Sequence, residues 1–434
     1  MMQTRIPQLE NRDFAEHAYP LSSTAKYISV PVTLSSFTQP PTAVAPTDRI
    51  LTIDILRALA LFGVLMVNLV TEFGVSIFQQ FVPSGPLASP VDRFLDAFVL
   101  YALDMKAFAL FSLLFGIGLA VQFDRLANRE RPLYWLRRRL VVLLAFGLFH
   151  LLFIWNGDIL TEYALAGLLV LPLIREDKET LALVSLGLFA FYLAMPALHL
   201  PIYWPSTETF ARHVIAANQV YANGSLVQVW RFSLGELKMI FSLNEFVFPR
   251  TLALFLLGAA IWRSGMLQNW QLHRRTFLIF GVTATVVGLV LTAAGAMGVF
   301  ASTPVLGASM SNLAPTVQAL GYAALTVIAV DLPYLGDFLR LFAPLGRMSF
   351  TNYILQSLIF SWIFFGYGLG QFGRLSVTTA FLLGSAIYIA QMVGSALWLR
   401  WFRFGPLEWL WRSLMYGQAQ VMLKSRLPSV ELAH

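Results

Sequence analysis

The stretch Leu51–Leu69 constrains this chain most, because it has the length of a bilayer-spanning helix and yet contains charged side chains. It is almost wholly apolar apart from Asp54, Arg57 and Asn68. Helical spacing puts Asp54 and Arg57 on one face, and it puts Arg57 and Asn68 about three turns apart on the same side. Charged groups inside a membrane are costly and mark paired or functional positions. We therefore expect this polar stripe to face a protein interior rather than lipid.

The composition predicts an all-α, polytopic transmembrane helix bundle embedded in a lipid bilayer. Of 434 residues, 57% are hydrophobic and only 12% are charged, and the mean hydropathy is +0.67. Soluble domains carry about twice that fraction of charged residues. The chain has no cysteine, which excludes disulfides and thiolate nucleophiles. The net charge of +7 is concentrated in loops, so we read it as a topology signal and expect no nucleic-acid partner.

The apolar segments divide the chain into one membrane domain and two tails. We predict a disordered cytoplasmic tail at residues 1–48, a transmembrane domain at 49–417 and a second cytoplasmic tail at 418–434. Within the membrane domain, residues 201–245 are too polar to span and form an extracytoplasmic segment. Ten spans fit best: Leu51–Val70, Phe108–Phe123, Leu140–Trp155, Ile159–Ile174, Leu181–Leu200, Thr251–Trp262, Phe277–Phe300, Asn312–Val330, Phe350–Gly368 and Val377–Leu399.

The arginine and lysine residues predict the orientation of these spans. The loop between the second and third spans holds Arg125, Arg129, Arg131, Arg137, Arg138 and Arg139. With ten spans, the other basic loops fall on the same side as this loop and the amino-terminal tail. Cytoplasmic loops are enriched in Lys and Arg, so both termini are predicted to be cytoplasmic. The same arginines could instead bind phosphate groups of lipids or of a nucleotide-like cofactor.

One histidine lies well inside a predicted span and close to a carboxylate. His150 is near the end of the third span, and the tight turn Trp155–Asp158 leads into the fourth. The two side chains are thus within reach of one another, with Glu162 one turn beyond Asp158. His150 is either a packing histidine or a general base. Asp158 is either a helix cap or the partner of His150.

The polar groups of the first span have two interpretations as well. Asp54 and Arg57 form either a structural ion pair or a ligand-binding pair, and Asn68 can be an ordinary interhelical hydrogen bonder. The sequence contains no set of metal ligands, no glycine-rich phosphate loop and no nucleophile elbow. No metal cofactor is therefore predicted.

Five segments resemble the YeiB-like family of bacterial inner-membrane proteins. They are ILTIDILRALALFGVLMVNL (50–69), LFSLLFGIGLAVQ (110–122), FGLFHLLFIWNGDILTEYALAGLLVL (146–171), GRMSFTNYILQSLIFSWIFFGYGLGQFG (346–373) and GPLEWLWRSLMYG (405–417). These segments are spread across residues 50–417, and the resemblance implies a location in the bacterial inner membrane.

The first span is also similar, more faintly, to that of transmembrane acyltransferases, including sugar O-acetyltransferases and heparan-α-glucosaminide N-acetyltransferase. These enzymes have Asp, then Arg three residues on, then His or Asn fourteen residues on from the Asp. Asp54, Arg57 and Asn68 occupy these positions here. The sugar O-acetyltransferases have histidine at the third position, so this chain departs from their pattern. The heparan enzyme has Asn there and a separate catalytic histidine a short way along, whereas the first histidine after Asn68 in this chain is His150.

This second resemblance implies an acyltransferase with acyl-CoA as donor and a small molecule or glycan as acceptor. Arg57, Asp54, Arg137 and Arg138 would bind the donor on the cytoplasmic side. His150 would take the proton of the acceptor, Asp158 or Glu162 would orient His150, and Asn68 would polarise the acyl carbonyl. The alternatives are a transporter or export accessory protein without covalent chemistry, and a structural membrane protein. A homo-oligomer is compatible with each of them.

Overall fold

The computed structural model describes residues 51–83, 89–198 and 200–424. The predicted tail at 1–48 and the last ten residues of the chain lie outside the described residues. Within them the chain is helical, and its one β contact is an isolated bridge between Phe402 and Leu423. The helices are α1 (Leu51–Asn68), α2 (Pro90–Phe98), α3 (Lys106–Leu126), α4 (Pro132–Phe153), α5 (Leu160–Val170), α6 (Lys178–Leu198), α7 (Thr207–Asn223), α8 (Leu226–Arg263), α9 (Arg274–Ala296), α10 (Pro304–Ala329), α11 (Leu335–Arg340), α12 (Ala343–Arg347), α13 (Ser349–Phe364), α14 (Val377–Trp401) and α15 (Pro406–Tyr416).

The protein is an all-α transmembrane bundle, as predicted. In the described part of the chain, seven helical segments are long and apolar enough to cross a membrane. They are Leu51–Phe73, Pro90–Leu126, Lys178–Leu198, Leu226–Arg263, Trp270–Ala296, Pro304–Ala329 and Val377–Trp401. The predicted third, fourth and ninth spans are helices too, but α5 and α13 are shorter than the ~20 residues that span a bilayer. The total of ten spans and the side of the termini stay predictions.

Helix α1 lies at the centre of the bundle and packs against α3, α10, α12, α13 and α14. Asp54 and Asn68 are buried at 5% and 6% exposure, which confirms that the polar stripe faces the protein interior. By contrast, α6 and α9 expose apolar side chains such as Leu183 and Val290 along most of their length. Such a surface is suited to contact with lipid.

The segment at 201–245 consists of α7 and the first half of α8. Helix α8 is one continuous helix of 38 residues, so the predicted sixth span at Thr251 is its second half. A capping box formed by Ser225 and Gln228 starts it, and Pro249 lies within it. The first half packs with α7 around an apolar cluster that includes Phe78, Phe210 and Ile240. The segment is therefore a folded layer rather than a loop.

Close helix contacts fix the positions of the elements around the site. A Cβ atom on Gly116 of α3 would lie 2.0 Å from the carbonyl oxygen of Phe255 on α8. A Cβ atom on Gly147 of α4 would lie 2.5 Å from the backbone nitrogen of Thr161 on α5. Both contacts exclude any larger residue, since real Cβ atoms do not approach other heavy atoms so closely. Glycine at these positions therefore lets α3 meet α8 and lets α4 meet α5.

Candidate functional site

The hairpin of α4 and α5 brings His150 and Asp158 into contact. Nδ1 of His150 lies 2.8 Å from Oδ1 of Asp158, and both side chains are buried. Oδ2 of Asp158 accepts a hydrogen bond of 2.7 Å from the backbone N–H of Thr161 in the first turn of α5. Asp158 thus acts both as a helix cap and as the partner of His150, the two roles that the sequence analysis treats as alternatives.

The second ring nitrogen of His150 has no hydrogen-bond partner among the described residues, although it is buried. An ionised carboxylate only accepts hydrogen bonds, so Nδ1 carries the proton of this contact; in the neutral imidazole Nε2 then keeps a lone pair. This is the tautomer that a general base requires. The ring packs against Tyr353, at 5.3 Å between ring centroids, and against Trp155, at 6.2 Å.

Tyr353 belongs to the predicted ninth span and is not among the predicted site residues. In the structure its ring contacts His150. The Tyr353 hydroxyl makes two long contacts: it accepts from the backbone N–H of Ile159 at 3.4 Å and donates to the carbonyl of Gly157 at 3.5 Å. Tyr353 therefore links α13 to the α4–α5 turn.

A cavity of about 320 Å³, here called the hairpin cavity, lies beside the α4–α5 turn. Its charged lining residues are Glu72, Asp158, Glu162 and Arg250, and the aromatic residues Phe81, Trp204 and Phe246 line it as well. Oε1 of Glu162 accepts a hydrogen bond of 2.6 Å from the hydroxyl of Thr251 on α8. The predicted residues Asp158 and Glu162 thus share one cavity.

A second cavity of about 200 Å³, here called the arginine cavity, contains Asp54 and Arg57. Its other charged lining residues are Arg139, Arg347, Glu408 and Arg412. Nη1 of Arg57 lies 3.3 Å from Oδ1 of Asp54, so the two predicted residues form an ion pair at the cavity wall. Arg57 and Glu72 are separated by about 22 Å of helix rise. The two cavities therefore lie towards opposite ends of α1.

Ile159 and Tyr163 line both cavities and form the wall between them. The Tyr163 hydroxyl donates to the carbonyl of Phe108 at 2.9 Å and lies 2.9 Å from the Ser112 hydroxyl, which fixes its ring. His150 is not a lining residue of either cavity. Its neighbours are, since Asp158 faces the hairpin cavity and Tyr353 faces the arginine cavity.

The other predicted residues lie outside the two linings. Asn68 is buried, and its Oδ1 atom has no hydrogen-bond partner among the described residues, but it lines neither cavity. Arg137 is exposed, and Arg138 donates to the carbonyl of Leu414 at 3.0 Å. The neighbouring Arg139 enters the arginine cavity instead, with its guanidinium 3.7 Å from the ring centre of Trp411 on α15.

Helix α15 closes the arginine cavity through a residue that sequence reasoning missed. The carboxylate of Glu408 accepts hydrogen bonds from the backbone N–H groups of Phe350 and Thr351, at 2.9 and 3.0 Å. It therefore caps the first turn of α13 from another helix. A signal was present in the sequence, namely one acidic residue in the amphipathic stretch at 405–417.

A second histidine–carboxylate pair lies in the 201–245 layer and was also missed. Nε2 of His213 lies 2.7 Å from Oε1 of Glu236, whose other oxygen accepts from Asn156 at 2.7 Å and from the Tyr221 hydroxyl. Burial, reinforced by the Glu236 charge, raises the pKa of Tyr221 well above its ordinary value. Tyr221 thus keeps its proton and donates to Glu236. This cluster ties α7 and α8 to the α4–α5 turn.

These features define a class of protein: a polytopic helical membrane protein with a buried histidine–aspartate pair beside two cavities. Among the described residues, no group of three or more His, Asp or Glu side chains is arranged to hold a metal ion. Residues 261–418 match the family model described as "Protein of unknown function (DUF418)".

Two bacterial proteins are similar to this chain over nearly their whole length. It is 31% identical to "Uncharacterized protein YxaH" of Bacillus subtilis over 400 residues, covering 87% of this chain and 96% of the relative. It is 29% identical to "Uncharacterized protein YeiB" of Escherichia coli over 396 residues, covering 85% and 96%. No solved structure matches the chain. The chain belongs to the YeiB-like family, as the sequence motifs predict.

Proposed function

We propose that this protein is an acyltransferase of the bacterial inner membrane. It would move an acyl group from cytoplasmic acyl-CoA to a hydroxyl or amine acceptor at the outer side. The observation that carries the proposal is the buried His150–Asp158 pair, with its free Nε2 atom, between the residues of two cavities of different charge. A buried base beside two separate compartments is what a reaction between substrates from opposite sides requires.

The donor would bind in the arginine cavity. The phosphate groups of CoA are matched by guanidinium groups, which bind phosphate in a bidentate geometry. Arg57 and Arg139, both lining this cavity, are the residues that we assign to this role. Arg137 and Arg138, which the sequence suggested, are less suited because they lie outside the lining. The stretch of basic residues around this cavity also supports a cytoplasmic orientation.

The acceptor would bind in the hairpin cavity and react at its boundary with the arginine cavity. The acceptor oxygen or nitrogen attacks the thioester carbonyl while Nε2 of His150 takes the proton of the attacking group. The carbon–sulfur bond then breaks, and CoA leaves as the thiol with the proton that His150 returns. Asp158 keeps the imidazole in the required tautomer. The Tyr353 hydroxyl, whose present contacts are long, is suited to stabilise the charge that develops on the carbonyl oxygen. Glu162 would help to orient the acceptor, and the role of Asn68 stays a prediction.

A transporter without covalent chemistry is the second candidate, and one observation favours it. Ile159 and Tyr163 form a wall between two cavities that lie towards opposite ends of α1. Movement of that wall would expose one site to either side in turn, and the buried His150–Asp158 pair would then carry a proton.

One pair of assays separates the two candidates. Purified protein is incubated with labelled acetyl-CoA and a panel of sugar, amino-sugar and alcohol acceptors, and both acyl transfer and CoA release are measured. Acyltransferase activity predicts acceptor-dependent CoA release that His150→Ala abolishes. If no acceptor gives turnover while His150→Ala stops uptake or efflux of a solute in proteoliposomes, the acyltransferase proposal is wrong and the transporter replaces it.

A further inference from the structure

Arg250 is a buried cation in the hairpin cavity, and no carboxylate of the described residues lies within ion-pair distance of it. Its residue exposure is 3%, and its Nε and Nη1 atoms are buried without a hydrogen-bond partner among the described residues. Tyr192 contacts the guanidinium group through a side-chain hydrogen bond, and the centre of its ring is 5.9 Å from the guanidinium carbon. Within the described part of the chain it forms no ion pair with any carboxylate.

This state is costly for the protein alone. An arginine side chain keeps its charge under all ordinary conditions, so it cannot become neutral to escape burial. A buried charge without a partner is strongly unfavourable, and so is each buried N–H group without an acceptor. An anionic ligand with two acceptor oxygens would balance the charge and also accept hydrogen bonds from the buried N–H groups. The guanidinium group binds carboxylate and phosphate in this way, through two parallel hydrogen bonds.

The neighbouring carboxylate is held by a different partner. Glu162 accepts the hydroxyl of Thr251, the residue next to Arg250 in α8, and this contact directs its carboxylate to Thr251. Asp158 is occupied by His150 and by the first turn of α5, and Glu72 is the third carboxylate of the lining. Among the described residues, the cavity wall therefore contains a cation whose buried N–H groups lack acceptors, and elsewhere a carboxylate that is already paired with His150.

We propose that Arg250 is the anion-binding residue of the hairpin cavity and that the molecule bound there carries a carboxylate or phosphate group. The inference deepens the proposed function, on which its assignment to the acceptor rests. An acceptor held at Arg250 through its anionic end presents its hydroxyl or amine end elsewhere in the same cavity, whose lining includes Asp158, the partner of His150. The aromatic residues Phe81 and Trp204 give that ligand an apolar face to pack against.

The test is a binding measurement that needs no turnover. The full-length protein is purified in an uncharged maltoside detergent and titrated with three matched probes: glucose, glucuronate and glucose 6-phosphate. We expect at least one of the two anionic probes to bind at least tenfold more tightly than glucose, a difference of about 1.4 kcal/mol or more, because hydrogen bonds between charged groups are stronger than neutral ones. Preference for glucuronate or for glucose 6-phosphate identifies a carboxylate or a phosphate ligand.

Variants separate ligand binding from a structural role. Arg250→Gln should remove the preference for the anionic probes, and Arg250→Lys, which keeps the charge but not the paired donors, should weaken it. Arg250→Met should leave the melting temperature of the ligand-free protein unchanged or raise it, because it removes an uncompensated buried charge. Equal binding of all three probes, absence of binding, or an unaltered preference in Arg250→Gln would each overturn the inference. So would a clear loss of stability in Arg250→Met. Binding at Arg250 without acyl transfer would refute the proposed function alone.

Discussion

Replacement of Asp158 by Asn tests the role of the histidine–aspartate pair, because the side chain keeps its shape but loses one acceptor. Both oxygens of Asp158 accept hydrogen bonds, from His150 at 2.8 Å and from Thr161 at 2.7 Å. The amide has one oxygen, so one orientation leaves the α5 cap without its acceptor. The other orientation turns the amide nitrogen towards His150, which reverses the tautomer and places the proton on Nε2.

Both orientations lower activity, because a neutral amide no longer stabilises the imidazolium ion that forms when His150 takes a proton, and the first orientation also removes the cap of α5. A lost hydrogen bond to a charged group costs about 1.5–3 kcal/mol of stability, and removal of a working general base lowers the rate by about 10²–10⁴-fold. We therefore expect Asp158→Asn to fold with a lower melting temperature and to lose acyl transfer from labelled acetyl-CoA by at least a hundredfold. The assay measures both quantities on the same purified preparation.

Asp177→Asn is the matched control. Asp177 also accepts from a backbone N–H group in the first turn of a helix, with Thr180 N at 2.7 Å from Oδ1, but it contacts no histidine. Asn caps helices about as well as Asp, so this variant should keep its stability and its activity. If Asp158→Asn retained turnover within twofold of the unsubstituted protein, the reasoning about the pair would be refuted.

Three further substitutions test the surrounding structure. Gly116→Ala should clearly lower the melting temperature, because its Cβ atom would lie 2.0 Å from a carbonyl oxygen of α8. Gly187→Ala is the control: its Cβ atom would have no other atom within 4 Å, so the substitution should stabilise the protein by roughly 0.5–1 kcal/mol. Equal effects of the two substitutions would contradict the close contact at Gly116. Arg139→Gln should raise the KM for acyl-CoA about tenfold, whereas Arg137→Gln should leave that KM unchanged. A larger KM for the Arg137 variant than for the Arg139 variant would locate the donor outside the arginine cavity. Glu408→Ala should destabilise the protein by a few kcal/mol in thermal unfolding, because α13 loses its cap. Glu408→Gln should recover part of the lost stability. An alanine variant with unchanged stability would argue against the cap.

Local features of the site could be predicted from sequence because short segments determine them. His150 and Asp158 are eight residues apart around a tight turn, so an antiparallel hairpin brings them together whatever the rest of the bundle does. The polar stripe of α1 was likewise predictable, since the cost of lipid exposure leaves only the interior for Asp54 and Asn68.

Contacts between distant segments could not be predicted in this way. Arg347 reaches the arginine cavity because α12 packs on α1, where a Cβ atom on Gly346 would lie 1.8 Å from the carbonyl oxygen of Asp54. Arg412 does so because α15 packs on α4. No local pattern of hydrophobic residues encodes either contact.

Arg250 was missed for a different reason. The hydrophobic pattern starts a span at Thr251, so Arg250 falls just outside it and reads as an ordinary residue of the interface. In the structure, α8 continues through that position, and the arginine is buried within the helix. A basic residue directly beside a proline inside a long helix was the available signal.

The most direct test of the account is the sidedness of acyl transfer in proteoliposomes with the protein inserted in one orientation. Labelled acetyl-CoA is supplied only on the side of the arginine cavity, and the acceptor only on the side of the hairpin cavity. The account predicts labelled product in the acceptor compartment and free CoA in the donor compartment, both abolished by His150→Ala. Product formed only when donor and acceptor share one compartment would contradict it.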